Sequence, residues 1–413
     1  MKRIVSALLV CVTLIASLTA CSLVDNMSKK SNNSVAPNIS VMSNKNENSH
    51  KTEEATTEKP AEKKTEEAKS FTQPTTVAPE TQPQSQLRTP EITSNSISKV
   101  NLKSGDSEIE SYYPNHAYHP KIVDLGKKWR GYRYWISYTP YPNSKDYYEN
   151  PHVVASNDLI NYSEIKFEEP ALYNHKKSTR YNSDSHLVYN DDLDRLELFW
   201  RYTDYESNYM AMYMRYSYDG NEWSESVTVY ETYNREKEDM ISPALIYDSG
   251  TYKVWYVNKY KMYYREYTNG VWGVPVDTKI KFADNSFIWH VDVIETTDGY
   301  EMIACACIDK KDRRHMSLYY STASNETNWS VAQEVVKPSA DVTSWDGGGL
   351  YRSSFIKSDG MYFVLYSGRN DYNDFGTGLL FGKDMFNLKG TDIDYINNSQ
   401  KSAAEFWRYV KNF

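Results

Sequence analysis

Short apolar runs of strand length recur along most of the chain, and each run is bounded by turn-forming residues. The first unit contains three such runs, at 118–123, 132–138 and 151–156, and ends in a polar turn at 157–162. Aromatic and β-branched residues dominate the runs, while Gly, Pro, Asn or Asp stand at their ends. Runs of this length with these boundaries predict β-strands joined by turns.

The same unit returns four more times in degenerate form. Its opening run recurs at 183–189, 241–247, 289–294 and 351–356. A polar turn and an aromatic-rich run follow each time, and three closing turns carry a tryptophan that can fold back on its hairpin: Trp223, Trp272 and Trp329. A period of about 50–60 residues is typical of propeller blades. The pattern predicts an all-β, five-bladed β-propeller of four-stranded antiparallel blades.

Composition limits the kinds of molecule that the protein is expected to bind. The net charge of −8 argues against nucleic-acid binding, which requires a basic face. The 37 tyrosines and 10 tryptophans are typical of packed β-sheets and of sugar-binding surfaces. We therefore expect carbohydrate as the partner, no nucleic acid, and a monomeric protein.

The first residues resemble a targeting segment. Lys2 and Arg3 precede an apolar stretch at 4–16, which is too short to span a membrane comfortably, and small residues lead to Cys21. This order predicts a bacterial lipobox in which Cys21 is lipidated, so the protein would be anchored to the cell membrane with its domain on the extracytoplasmic face. The alternative is an ordinary secretory signal with an incidental cysteine.

The next segment predicts a tether. Residues 22–96 are rich in Ser, Thr, Glu, Lys and Pro and nearly free of large apolar residues, a composition that favours disorder. The globular domain is then expected at 97–413, with 96–102 as an outer strand of the last blade and a helix from about Asn398 to Val410. Cys305 and Cys307 lie two apart in a strand and are interpreted as small buried residues. No metal and no cofactor is expected.

Two short motifs carry a family resemblance. These are Tyr-His-Pro at 118–120 and Ser-Asn-Asp-Leu-Ile-Asn-Tyr at 156–162, the latter similar to the S-x-D-L-x-x-W of glycoside hydrolase family 43. With the five repeats, they make the chain resemble the five-bladed propeller shared by families 43, 32, 68 and 117.

The resemblance implies three carboxylates at the pocket. Asp184 matches the second of them, which orients the substrate and tunes the acid. His119 stands where an Asp base or nucleophile is expected before a proline, and Ile241 stands where a Glu acid is expected, with Glu238 and Asp239 close by. Family 117, which is thought to use a histidine acid, supplies a precedent for His119.

The propeller geometry predicts where the site residues meet. The first strand of each blade lines the central channel, so the residues at the strand starts converge at one mouth: His119, Asp184, Ser242, His290 and Arg352. Loops at the same mouth add further candidates: Glu149, Asn150, Trp345, Asp346, Arg369 and Asp371. We expect Asp184, Glu149 and His119 to be catalytic and the others to bind substrate. Five of these residues also have an ordinary structural interpretation: His119, Asp184, Glu149, His290 and Arg352. For Glu149 and His290 that interpretation is the stronger one.

Two function classes stay open at this point. The first is a surface-anchored glycoside hydrolase or related glycan-active enzyme, and the second is a non-catalytic propeller that binds glycan or protein. Glycoside cleavage usually needs two carboxyl groups that flank the bond. The enzyme hypothesis therefore predicts two or more titratable groups within about 10 Å across one pocket. Neither the sugar nor the linkage follows from the sequence.

Overall fold

The computed structural model describes residues 95–172, 179–398 and 403–411. The predicted signal, the lipobox at Cys21 and the tether up to residue 94 lie outside this range. Four helices are present in the described part: α1 (Ser107–Tyr112), α2 (Arg235–Glu238), α3 (Ile393–Asn398) and α4 (Ala403–Lys411). None of these described helices has the length and apolarity needed to cross a membrane.

The strands form five antiparallel sheets, each built from consecutive strands. Blade 1 contains β1 (Ala117–Trp129), β2 (Tyr132–Pro140), β3 (His152–Ser156) and β4 (Phe167–Glu168). Blade 2 contains β5 (Arg180–Asn190), β6 (Arg195–Asp204), β7 (Tyr209–Ser217) and β8 (Val227–Thr232). Blade 3 contains β9 (Ile241–Asp248), β10 (Thr251–Asn258), β11 (Lys261–Thr268), β12 (Val271–Trp272) and β13 (Val276–Asp277).

Blade 4 contains β14 (Phe287–Thr296), β15 (Gly299–Cys307), β16 (Ser317–Ala323) and β17 (Gln333–Val336). Blade 5 contains β18 (Gly349–Ser358), β19 (Met361–Arg369), β20 (Phe375–Gly382) and β21 (Lys389–Gly390). The predicted five-bladed propeller is therefore confirmed. Blade 3 differs only at its outer edge, where β12 and β13 both pair with β11 and together occupy the fourth position.

The first strands of the blades form the innermost layer of the ring. Each of β1, β5, β9, β14 and β18 contacts the first strands of its two neighbours. All five therefore begin at one face of the ring, called here the upper face. Because antiparallel strands alternate in direction, the loops between second and third strands also lie at the upper face. The sequence placed the candidate site at this face.

Five apolar cores hold the ring together, one between each pair of neighbouring blades. The tryptophans of the closing turns contribute as predicted: Trp223 packs on Phe167 of the preceding blade, with ring centroids 5.0 Å apart. Gly220, in the same turn, has a φ of +80°, and a Cβ there would lie 2.1 Å from Trp135. Glycine is needed at this position because the turn lies directly on the neighbouring blade.

The segment at 96–102 is not a strand, so that expectation was wrong. Blade 5 completes its own edge with β21, and the segment runs beside it through separate hydrogen bonds, from Ile97 N to Thr391 O and from Val100 N to Thr377 O. Val100 is buried in the core between blades 1 and 5. The segment therefore packs where blades 1 and 5 meet and the ring closes.

The C-terminal helix also packs where blades 1 and 5 meet and close the ring. It begins later than predicted, at Ala403, and α3 precedes it. Trp407 of α4 stacks on Tyr134 of blade 1 and contacts Phe363 of blade 5 at a centroid distance of 4.9 Å. Its Nε1 donates to the carbonyl of Asp158, in a lower-face turn. The prediction that this helix packs on the side or underside of the propeller is confirmed.

The two cysteines of β15 are buried and free. Cys305 Sγ lies 3.7 Å from Met316 Sδ in the core between blades 4 and 5. The interpretation of Cys305 and Cys307 as small buried strand residues is confirmed.

Candidate active site

Three inner strands begin with the same backbone irregularity. His119, Asp184 and Ser242 have positive φ angles of 51°, 52° and 52°. The pairing register shifts beside the first two, between Tyr118 and Lys121 in β1 and between residues 183 and 186 in β5. A bulge of this kind turns a side chain away from the regular alternation of the strand. Non-glycine residues in this region carry strain of about 1–3 kcal/mol each, and they cluster at functional sites.

The bulges bring three metal-ligand side chains together in the central channel. Ligand atoms of His119, Asp184 and His290 all lie within 4.8 Å of one another. His290 Nδ1 is 3.6 Å from Asp184 Oδ1, and the two imidazole rings are 5.7 Å apart. All three residues are buried. The predicted convergence of these strand starts is confirmed, although the roles assigned to them remain predictions.

Several ligand atoms of this cluster have no hydrogen-bond partner. Among the described residues, both ring nitrogens of His290 and Oδ1 of Asp184 are buried without a hydrogen-bond partner, whereas His119 Nδ1 contacts Thr139 Oγ1 at 2.8 Å. Buried polar atoms without a partner are rare because desolvating them costs about 1–3 kcal/mol each. Two imidazoles and one carboxylate form a donor set that suits a divalent transition metal. The residues therefore fit a metal ion, which the sequence alone did not lead us to expect.

Burial also sets the protonation of the two histidines. It lowers the pKa of His119 to about 4, and it lowers the pKa of His290 well below its usual value. Both rings are therefore neutral at pH 7. Neutral imidazole is the form that binds a metal.

Asp184 is ionised. Burial alone would raise its pKa, but nearby positive charge outweighs burial and lowers the pKa to about 2; the contributors, largest first, are His290, Arg352, His119 and Arg201. Since both imidazoles are neutral at pH 7, the two guanidinium groups are what keep Asp184 negative there. A buried anion between two neutral rings is well suited to a cation.

Glu149 reaches the same cluster from blade 1. A short 3-10 turn at Asp146–Tyr148 ends the loop between β2 and β3 and places Glu149 Oε2 3.5 Å from His119 Nδ1. The side chain is buried, and burial, followed by the charges of Asp146 and Asp184, raises its pKa well above the usual value. Glu149 therefore favours its protonated form more strongly than an exposed glutamate does.

Two arginines support the cluster from below and from the side. Arg352 Nη1 donates to the carbonyl oxygen of Ser185 at 2.6 Å inside the channel. Arg201 on β6 forms a bidentate pair with Asp239, with both N–O distances 2.7 Å, and donates to Ser183 Oγ at 3.2 Å. Sequence reasoning missed Arg201, although a charge inside the apolar run of β6 was a signal. Asp239 is committed to this pair and is not a free general acid.

An aromatic wall completes the pocket, and sequence reasoning treated its members only as strand or loop residues. Tyr118 stacks between Tyr141 and Tyr351, at centroid distances of 5.5 and 5.2 Å. Tyr351 in turn contacts the His290 ring at 4.4 Å. The Tyr118 hydroxyl is buried without a hydrogen-bond partner.

Arg369 lies beside this wall. Its guanidinium packs over Phe375 at 5.3 Å, and Nε and Nη2 are buried without hydrogen-bond partners. Nη2 lies 3.8 Å from Asp371 Oδ1, which is beyond hydrogen-bond distance. The N–H groups of Arg369 and the free Tyr118 hydroxyl are therefore available to a ligand.

The two residues chosen from the loop before blade 5 have structural roles instead. Trp345 is buried in the core between blades 4 and 5, and its Nε1 donates to the carbonyl of Ser96. Asp346 is fully buried and accepts hydrogen bonds from Asn95 Nδ2 and the Tyr366 hydroxyl. Both residues therefore hold the N-terminal segment against blade 5, and the expectation that Trp345 and Asp346 bind substrate stays a prediction.

Three further candidates lie near the pocket but are engaged or exposed. Ser242 Oγ donates to the carbonyl of Val291 at 3.1 Å and so links β9 to β14. Asn150 Oδ1 accepts from Asn182 Nδ2 at 3.1 Å. Asp371 is exposed at the rim. A separate groove at blades 3 and 4 contains none of the clustered ligand residues.

Known proteins resemble this chain in sequence and in fold. No family model matches the chain. The chain is 28% identical, over 386 aligned residues, to the A type blood N-acetyl-alpha-D-galactosamine deacetylase of Flavonifractor plautii, with 76% of this chain covered. The chain spans about half the length of that relative, 49%.

Solved structures agree on the fold. An N-acetylgalactosamine deacetylase from F. plautii, in complex with blood group B trisaccharide, matches with a TM-score of 0.61 and 21% identity, covering 70% of this chain and 94% of that one. A thermostable family-43 glycoside hydrolase matches with a TM-score of 0.46 and 14% identity, covering 71% and 96%. The five sheets make the chain a five-bladed β-propeller, and it is similar in sequence and in fold to a glycan-active deacetylase.

Proposed function

We propose that this protein is a metal-dependent hydrolase that removes the acetyl group from an N-acetylated amino sugar of a glycan. One observation carries the proposal: two neutral imidazoles and an ionised carboxylate meet in a buried pocket with unpaired ligand atoms. The similarity to a propeller whose name specifies N-acetylgalactosamine deacetylation supplies the substrate class.

The residues that differ from the glycosidase pattern also favour deacetylation. The position before Pro120 holds His119, where the resemblance to glycoside hydrolases implies a carboxylate base. An imidazole there is a poor substitute for a glycosidase base but a good metal ligand. His290 supplies the second imidazole from blade 4, opposite in the ring to the glycosidase positions of blades 1 and 2. Together the two imidazoles would provide ligands for a metal ion beside Asp184.

His119, Asp184 and His290 would hold the cation. When bound, a divalent cation supplies Lewis-acid polarisation and lowers the pKa of water. Arg352 and Arg201 keep Asp184 ionised, so the site retains one negative charge at neutral pH. These five residues are held by inner strands or by a strand adjacent to them, which gives the site a rigid frame.

Glu149 would transfer the proton that the sugar nitrogen takes up. In amide hydrolysis the water oxygen bonds to the acetyl carbon, the C–N bond breaks, and the sugar nitrogen takes a proton. Glu149, whose pKa is raised by burial, would donate that proton from its protonated form, and the water would return one to it. Acetate and the free amino sugar are the products. Arg369 and Tyr118, with their unpaired N–H and O–H groups, would orient the sugar.

A glycoside hydrolase is the second candidate, because one observation favours it. Asp184 has a lowered pKa and Glu149 a raised one, and such a split is the arrangement of a glycosidase base and acid. The two activities give different products. Deacetylation releases acetate and leaves the glycosidic bond intact, whereas glycoside cleavage releases a new reducing end.

The test measures both products in one assay. The purified domain is treated with EDTA, dialysed, and incubated with glycans that carry N-acetylgalactosamine or N-acetylglucosamine, with and without Mn²⁺ or Zn²⁺. Acetate release that EDTA abolishes and the cation restores supports the proposal. New reducing ends that form in the presence of EDTA would establish the glycosidase instead. Glycan binding without either product would leave a non-catalytic binding propeller.

We further propose that a lipid on Cys21 anchors the domain, as a monomer, outside a bacterial cell membrane. The support is the charged, apolar and small-residue order before Cys21 and the composition of residues 22–96. Replacement of Cys21 by Ala should abolish incorporation of labelled fatty acid and move the protein from the membrane fraction. A Cys21→Ala variant that is still labelled would contradict the anchor.

A further inference from the structure

Four tyrosines gather around the upper face of blade 2, outside the pocket already described. Tyr181 lies at the start of β5, Tyr205 directly follows β6, Tyr209 begins β7, and Tyr233 directly follows β8. Because strands of a blade alternate in direction, all four positions fall at the face where the pocket opens. We call these four residues the tyrosine platform.

The platform is exposed but firmly held. The hydroxyls of Tyr181 and Tyr205 lie 2.9 Å apart, and the Arg235 guanidinium sits 4.2 Å over the Tyr205 ring. The rings of Tyr209 and Tyr233 are 4.8 Å apart. Tyr205 is nevertheless 50% exposed and Tyr233 is 72% exposed. The protein thus fixes these aromatic faces without burying them.

A polar network joins the platform to the pocket. Arg235 Nη1 donates to Asp239 Oδ2 at 3.3 Å, and Asp239 is the partner of Arg201. Arg201 donates to Ser183, the neighbour of Asp184 in sequence. The platform is therefore continuous with the candidate active site through a single chain of contacts.

The inner end of the platform borders the pocket directly. Tyr181 lies on β5 three residues before Asp184, and the next residue, Asn182, donates from Nδ2 to Asn150 Oδ1 at 3.1 Å, in the loop that carries Glu149. A glycan whose terminal sugar occupies the pocket would therefore meet Tyr181 first, and then Tyr205 and Tyr233 farther out.

The chemistry of the platform suits a sugar chain. Tyrosine offers a large, rigid apolar face for the C–H face of a sugar ring and a hydroxyl for its polar edge, and it loses little entropy on binding. We propose that the tyrosine platform binds the sugars that follow the acetylated residue. The substrate is then an oligosaccharide or polysaccharide rather than a single sugar. This inference rests on the proposed deacetylase function.

The test compares a short and a long substrate. The short one is the methyl glycoside of N-acetylgalactosamine, and the long one is a tetrasaccharide that ends in that sugar. Tyr205→Ala and Tyr233→Ala should each raise KM for the tetrasaccharide about tenfold, as expected for the loss of one aromatic stacking contact. Neither should alter acetate release from the methyl glycoside.

Tyr218→Ala is the matched control. Tyr218 belongs to the same blade and is 51% exposed, but it lies in the lower-face turn after β7. This variant should behave as wild type on both substrates. Equal kcat/KM of the wild type on the two substrates, or the same effect for Tyr205→Ala and Tyr218→Ala, would overturn the proposal.

Calorimetry separates this inference from the proposed function. If neither substrate releases acetate, the deacetylase proposal fails, but binding of the tetrasaccharide can still be measured. A Kd about tenfold weaker for Tyr205→Ala than for Tyr218→Ala would support the platform. No binding to the wild type, or equal binding to both variants, would refute it and leave a protein partner as the occupant to seek.

Discussion

We predict that His290→Gln weakens divalent-cation binding about 100-fold while barely changing the stability of the protein without metal. The reason is that neither ring nitrogen of His290 makes a hydrogen bond to any residue that the structure describes. The substitution leaves no partner unsatisfied, and glutamine retains much of the contact with Tyr351. We expect a loss of no more than about 1 kcal/mol in the absence of metal, which is usual when no core cavity or broken network results.

The expected effect on the metal-bound form is much larger. A cation at 100 times its Kd stabilises the folded state by about 2.7 kcal/mol. At about 2 °C per kcal/mol for a domain of this size, the thermal midpoint should rise by about 5 °C. His290 is one of three protein ligands, and even outer-shell changes weaken metal sites by about 10–100-fold. A 100-fold loss brings the Kd to the cation concentration, where the stabilisation falls to about 0.4 kcal/mol and the shift to under about 1 °C.

Differential scanning fluorimetry with Mn²⁺, Ni²⁺ and Zn²⁺ measures these shifts, with Ca²⁺ and Mg²⁺ for comparison because they prefer oxygen ligands. The control is His315→Gln, because His315 forms an exposed cluster with Asp312 at 2.7 Å. The control should retain the full shift. A full shift in His290→Gln, or loss of the shift in His315→Gln, would place the cation elsewhere. Absence of any shift in the wild type would refute the metal site.

Three further predictions concern turnover, stability and domain limits. Glu149→Gln should lower acetate release about 10²–10⁴-fold with an unchanged thermal midpoint, measured on the same sample, and normal turnover would remove Glu149 from the mechanism. Burial tends to raise the pKa of Asp124, but hydrogen bonds led by Arg133 lower it overall. The stability from this pair is therefore fully present above the unfolded pKa of about 3.9 and is lost as the pH falls through the lowered folded pKa. Arg133→Met should cost about 1 kcal/mol at pH 7 and progressively less as the pH falls toward and below that lowered pKa in thermal unfolding, whereas the exposed Arg130→Met should cost almost nothing; a cost independent of pH would contradict the linkage. Limited proteolysis should yield a stable core that starts between residues 89 and 105, and protection of residues 30–80 would disprove the proposed tether.

Part of the candidate site could be predicted because equivalent positions in the sequence repeats lie at equivalent positions in the blades of a propeller. Asp184 and His119 stand at equivalent points of two repeats, so a closed ring must bring them to the same mouth. Glu149 followed from the same reasoning, because its loop lies between second and third strands. These predictions needed only the period of the repeat and the order of strands in a blade.

Other members of the site depended on contacts between distant parts of the chain. His290 looked like an ordinary strand histidine until the structure showed both of its nitrogens unpaired beside Asp184. Trp345 looked like a sugar-stacking residue in a flexible glycine-rich loop. It is instead buried in the core between blades 4 and 5 and donates to the carbonyl of Ser96, and the sequence around Trp345 gives no sign of either contact.

The sequence by itself determined the strands, the five repeats and the face of the ring at which the site lies, because alternation, turn residues and period are local properties of the chain. Only the tertiary structure decided the chemistry of the site. A metal site requires ligand atoms from three different blades to approach within a few ångströms, with neutral rings and a charged carboxylate. Those distances and protonation states arise from bulges, burial and the two neighbouring guanidinium groups, and no single stretch of sequence contains them.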